Sequence, residues 1–242
     1  MTTVVPIKGV IVNNDDGWFY DYLEMDYTSP KQVQAILNQA RDDIEIEINS
    51  QGGDVDSASE IYTMLSNYKG NVVTKIVGLA ASSASVIAMA GDTVEIGKLG
   101  QLMIHRASAG VAGNADDFSS GLQMLNETDQ AIAKLYAEKT GTSADEMLEL
   151  MKAETWIGAD RAIELGLADS LIGDNEKPKL AMTASLSLTP NISNDAKAKL
   201  KLAIENKQNK ENEATHQDDQ KSNDMSLLNA QIEYLELKGS EL

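Results

Sequence analysis

The chain has 242 residues, a formal net charge of −18, no cysteine and two histidines. That length suits one domain of ordinary size with an appendage, and the missing cysteines exclude disulfides, thiolate nucleophiles and cysteine metal sites. Residues 1–172 carry −15 of the charge, and so acidic a surface argues against a nucleic-acid partner, which calls for a basic stripe.

Val4 to Val12 reads as a strand, closed by the turn cluster Asn13 to Gly17, and Trp18 to Leu23 reads as a second strand. The N-terminal residues lack a charged segment followed by a long apolar one, so no signal peptide is expected. Ser29 as N-cap, Pro30 at the first helical position and Gln32 completing a capping box start a helix reaching about Arg41. Ile44 to Ile48 alternates apolar and acidic residues, the pattern of a strand with one buried face. Asn49-Ser-Gln-Gly-Gly53 leaves that strand, and Ser57 with Glu60 predicts a capped helix over 57–68, closed by Gly70.

Lys75 to Val77 is an apolar strand that turns at Gly78, and small residues lead to Ser82 at the first turn of a helix, 83–90, stopped by Gly91. Two short strands follow, Thr93 to Ile96 and Leu102 to Ile104, the second delivering His105. The apolar stretch 79–90 is interrupted by serine and too short for a bilayer, so a soluble, cytoplasmic protein without membrane contact is expected. Asp116 to Lys139 is a long helix carrying Phe118, Leu122, Leu125, Ile132 and Leu135 at helical spacing. Thr142 or Ser143 caps a helix reaching about Ala153, and a short helix from Asp160 to Leu165 ends at Gly166. Strands and helices in this succession form crossover units of an α/β fold.

After Ile172 the composition changes: 177–194 has no clear period and 205–224 is almost wholly polar, which predicts disorder. Short helices are expected over 196–204 and 225–237. The expected organisation is one domain over 1–172 and a tail over 173–242.

A strand-to-helix elbow exposes a serine, and the free amides of the helix start favour negative charge beside it. Ser82 stands at that elbow, with Ser83 and Ser85 as competitors. A serine hydroxyl is a weak nucleophile until a base takes its proton. His105 is the candidate base, because it ends a strand where open α/β sheets carry their sites, and the other histidine, His216, lies in the polar tail. Gly52-Gly53 after a strand allows backbone N–H groups to approach a substrate closely.

Gly78-Leu-Ala-Ala-Ser82 followed by Met103-Ile-His105 resembles the Clp proteolytic-subunit family of serine peptidases. The run Ser82-Ser-Ala-Ser-Val-Ile-Ala-Met-Ala-Gly-Asp92 is similar to the branch of phage prohead, or head maturation, proteases. The resemblance spans residues 7–172. It implies the Clp/crotonase-type spiral of ββα units, a serine endopeptidase with no metal or organic cofactor, and a homo-oligomeric ring. It selects Ser82 as nucleophile and His105 as base, and places the oxyanion-hole amides at Gly53 and Ser83. Counting back from Gly166-Leu-Ala-Asp169 puts Glu154 where the family has an aspartate, with Asp160 in reserve; Gln51 stands where the family has proline. The long helix after His105 matches the family's ring-packing handle or lies on its own core.

The implied substrate is polypeptide, scaffold or capsid protein in a prohead. The alternatives are a host-type Clp proteolytic subunit served by an ATPase unfoldase, acyl-CoA chemistry of the crotonase type on the same spiral, and a catalytically silent assembly component. A histidine base implies activity at neutral to mildly alkaline pH, falling as the imidazole is protonated.

Overall fold

Period-two alternation puts Ile44, Ile46 and Ile48 on one face of a strand, and all three are fully buried at the centre of the sheet. Each such burial stabilises by about 1.5–3 kcal/mol. The computed structural model describes residues 2–173. The tail expected from residue 173, with its short helices at 196–204 and 225–237, lies outside the described residues save its first.

The central strand, β3 (Ile44–Gly53), lies parallel to β1 (Thr3–Ile11) on one side and to β4 (Val72–Ala81) on the other. β2 (Tyr27–Thr28) extends the sheet beyond β1, while β5 (Thr93–Ile96) and β8 (Ser170–Leu171) extend it beyond β4. The sheet forks at β4: its first half pairs with β5, and Leu79 to Ala81 pair with β6 (Gln101–Ile104). β6 in turn carries β7 (Thr155–Gly158), the one antiparallel partner among these strands. Seven helices complete the described domain: α1 (Gly17–Tyr22), α2 (Pro30–Leu37), α3 (Val55–Ser66), α4 (Ser83–Ala88), α5 (Ala115–Thr140), α6 (Ala144–Lys152) and α7 (Ala159–Leu165). This mostly parallel α/β arrangement is the spiral fold that the motifs imply.

Local signals explain most boundaries. The Gln32 carboxamide accepts the Ser29 N–H at 3.0 Å, the expected capping box of α2. Ser143 caps α6 together with Glu146. Gly166, with φ 78°, takes the left-handed conformation that ends α7. Asp169 then accepts the Val94 N–H at 2.7 Å, pinning the segment after α7 to β5.

Three expectations need correction, and three short strands were not expected. Trp18 to Leu23 is helical: the Asn13 side chain accepts the N–H groups of Asp15 and Asp16, closing a turn straight into α1. Neighbours Phe19 and Tyr20 are both buried on that helix. α3 starts at Val55, two residues earlier than expected, because Asp54 caps it by accepting both the N–H and the hydroxyl of Ser57. It ends at Ser66 with Asn67 as its C-cap, before Gly70. β4 runs through Gly78 rather than turning there. Finally, β2, β7 and β8 have two to four residues each, too short to show a period.

The apolar stripe of α5 divides. Ile132 and Leu135 pack on the core, whereas Phe118 and Leu122 are 55% and 61% exposed. The reading of a helix lying on its own core holds for the C-terminal half.

Candidate active site

One irregularity in the ladder builds the elbow. β3 and β4 are in register to Ile48 opposite Ile76, but the next pair is Ser50 opposite Ala80, so β4 carries two extra residues. The Asn49 side chain fills the irregularity, accepting the Leu79 N–H at 3.1 Å. A Cβ on Gly78 would collide with that same oxygen, which is why glycine stands there. β4 then continues to Ala81 and delivers Ser82 to the head of α4.

Ser82 has φ 54° and ψ −127°, a conformation that costs a non-glycine residue about 1–3 kcal/mol. Surrounding bonds hold it: its N–H donates to the Met103 carbonyl at 2.8 Å, and its own carbonyl accepts the Ser85 hydroxyl at 2.5 Å. Ser85 is fully buried and receives in turn the Tyr136 hydroxyl at 2.7 Å. The competitors for nucleophile thus have other partners, and Ser82, half-buried, points its Oγ at His105 Nε2, 2.6 Å away.

His105 follows the last residue of β6, and the chain from there to Gly113 forms no helix or strand. The next fixed point is Asp129 on α5, 1% exposed, which accepts the Ala107 N–H at 2.7 Å and pairs with Arg106 Nε at 2.5 Å.

The two carboxylate candidates lie at opposite ends of one ladder. β6 and β7 pair Gln101 with Gly158 and Ile104 with Thr155. Both strands end at the Ile104–Thr155 pair; continued by one step, the register would set His105 opposite Glu154, while Asp160 lies beyond the Gln101 end. Glu154 sits at a bend with φ 47°, exposed, and makes no hydrogen bond to the imidazole. The geometry therefore brings Ser82 and His105 together and leaves Glu154 one residue beyond the last pair of the ladder, without a hydrogen bond to the imidazole.

The two amides expected to receive an oxyanion differ. The Ser83 N–H, at the start of α4, has no acceptor among the described residues. The Gly53 N–H donates to Ser83 Oγ at 2.8 Å, so the neighbouring hydroxyl occupies that donor. Gly52 lies against the elbow: a Cβ there would come within 2.5 Å of the Ala81 carbonyl and 2.9 Å of the Ser83 nitrogen.

Sequence reading missed Ser85, Asp129 and Tyr136 as neighbours of the dyad. The available signal was a pair of polar residues seven apart, two helical turns, on the side of α5 that carries Ala133. Among the described residues no group of three or more His, Asp or Glu is arranged to hold a metal ion, and no helix is long and apolar enough to cross a membrane.

A sequence model of the Clp protease family matches residues 27–175. The ATP-dependent Clp protease proteolytic subunit 1 of Streptomyces coelicolor is 32% identical over 127 residues, covering 52% of this chain and 58% of that protein. Proteolytic subunit 2 of Corynebacterium efficiens is 33% identical over 129 residues, 51% of this chain and 65% of that protein. The chain thus spans about three fifths of the length of these curated relatives.

Proposed function

The chain belongs to the Clp protease family, and from that premise we propose that it is a serine endopeptidase acting on polypeptides as a homo-oligomeric ring, with no metal or organic cofactor. The observation that carries this reading is the 2.6 Å contact between Ser82 Oγ and His105 Nε2 at a strained strand-to-helix elbow. An inert serine needs neither the strain nor the base.

His105 Nε2 takes the Ser82 proton as Oγ attacks a peptide carbonyl. The oxyanion is received by the Ser83 N–H and, once the Ser83 hydroxyl has turned away, by the Gly53 N–H. The imidazolium protonates the leaving amine, and water, deprotonated by the same nitrogen, hydrolyses the acyl-enzyme. Glu154 is the orienting acid in this reading: ladder register supports it over Asp160, and substrate binding draws its carboxylate onto Nδ1–H.

The finer proposal is a head maturation protease, working in the host cytoplasm within proheads on scaffold or capsid protein. It rests on the run from Ser82 to Asp92 and on the polar tail composition after 173. A host-type subunit served by an ATPase unfoldase is the second reading, favoured by the names of the relatives.

Cleavage of unfolded casein by the purified full chain tests the activity. Fragments that vanish in Ser82→Ala support it, and an intact substrate under every assembly condition contradicts it. Cleavage of scaffold inside proheads without ATP separates the first reading from the second, which requires ATP and a partner ring.

A further inference from the structure

Three residues of α5 are buried, Asp129, Ala133 and Tyr136. Spacings of four and three place them on one stripe, yet two are polar. Burying a carboxylate or a phenol is costly unless its hydrogen bonds are made, and apolar residues of similar volume often serve packing better. Both groups are partnered: one tether ends on the two residues after His105, the other on the carbonyl of Ser82.

Asp129 holds the two residues after His105, through the Ala107 N–H at 2.7 Å and Arg106 Nε at 2.5 Å. His105 is where the chain leaves β6, so this is its first anchor on the downstream side. Tyr136 donates to Ser85 at 2.7 Å, and Ser85 donates to the Ser82 carbonyl at 2.5 Å. Burial pushes the Tyr136 phenol far above its usual value, against a smaller opposite pull from Ser85. It therefore stays a neutral donor throughout the working range.

We propose that Asp129 and Tyr136 are positioning residues for the serine-peptidase chemistry inferred above, holding the base and the nucleophile from one helix so that the Ser82–His105 separation is fixed. This rests on that reading of the site. Oxygen-to-nitrogen contact at 2.6 Å tolerates little displacement, and misplacement by about 1 Å costs a reaction on the order of 10²-fold.

The test uses the full chain and two rates, hydrolysis of a fluorogenic peptide and inactivation by a fluorophosphonate, each normalised to the folded fraction. Asp129→Ala lowers kcat on the order of 10²-fold with KM nearly constant. Asp129→Asn, which keeps an oxygen for the Ala107 N–H, recovers most of that loss. Tyr136→Phe, one hydroxyl smaller, lowers kcat roughly five-fold. Ala131→Gly weakens the same helix on its solvent side and keeps the wild-type rate per folded molecule.

Asp129→Ala or Tyr136→Phe at the wild-type rate overturns the proposal, and so does an equal loss in Ala131→Gly. Where Asp129→Ala fails to fold, Tyr136→Phe decides alone. Wild-type protein that neither hydrolyses nor labels overturns the peptidase reading as well, whereas active wild type with unaffected variants overturns only the positioning role.

Discussion

Removing the Ser83 hydroxyl should make the site faster. In the resting structure the Gly53 N–H is spent on Ser83 Oγ at 2.8 Å, so the tetrahedral oxygen must displace that hydroxyl before it gains its second donor. A neutral hydrogen bond of this kind is worth about 0.5–1.5 kcal/mol net. In Ser83→Ala that exchange disappears, lowering the barrier by about 1 kcal/mol, which is roughly five-fold in kcat/KM. The backbone N–H of residue 83 survives the substitution. Because Gly53 is exposed, water can take the vacated place, so the stability loss stays below about 1 kcal/mol. The assay is kcat/KM on a fluorogenic peptide together with the second-order rate of fluorophosphonate inactivation; both should rise. A fall of three-fold or more in both would refute the reasoning and make the hydroxyl itself a donor to the oxyanion.

Gly52→Ala should lower kcat on the order of 10²-fold with KM little changed, since its Cβ presses the Ala81 carbonyl at 2.5 Å and the Ser83 nitrogen at 2.9 Å; steady-state kinetics within three-fold of wild type would contradict this. Glu154→Ala should reduce kcat by on the order of 10²–10⁴ while Asp160→Ala leaves it unchanged, and the reverse order in the same peptide assay would move the acid to Asp160. Thr74, fully buried, has a hydroxyl without a partner among the described residues. Thr74→Val should stabilise by about 1 kcal/mol in urea unfolding, and a loss of that size would imply a hidden partner for the hydroxyl.

Most of the helical frame was legible because caps are local chemistry. Ser29 with Gln32, Ser143 with Glu146 and the left-handed Gly166 each declare themselves within four residues. Ile44, Ile46 and Ile48 were legible through their period. The N-terminal aromatic run misled because Trp18, Phe19 and Tyr20 favour strands, and the Asn13 turn that overrides them acts through backbone geometry. At Gly78 the glycine suggested a turn, whereas it makes room for Asn49 from the neighbouring strand, a contact no local window contains. The dyad was readable from its motifs, Ser82 at an elbow and His105 after an apolar strand. Its supports were not: Asp129 and Tyr136 come from a helix that reads as an ordinary amphipathic stripe, and their partners are fixed by packing across 22 and 51 residues of sequence. That Ser83 turns its hydroxyl onto Gly53, 30 residues away, is equally a matter of tertiary structure.

The central claim is an activated Ser82, and fluorophosphonate labelling tests it most directly. Purified wild-type protein, Ser82→Ala and His105→Ala are treated side by side, and the modified residue is located by peptide mass spectrometry. The predicted result is an adduct on Ser82 in the wild type that is absent from both variants. An adduct on another serine, or labelling of wild type and His105→Ala at equal rates, would contradict the claim.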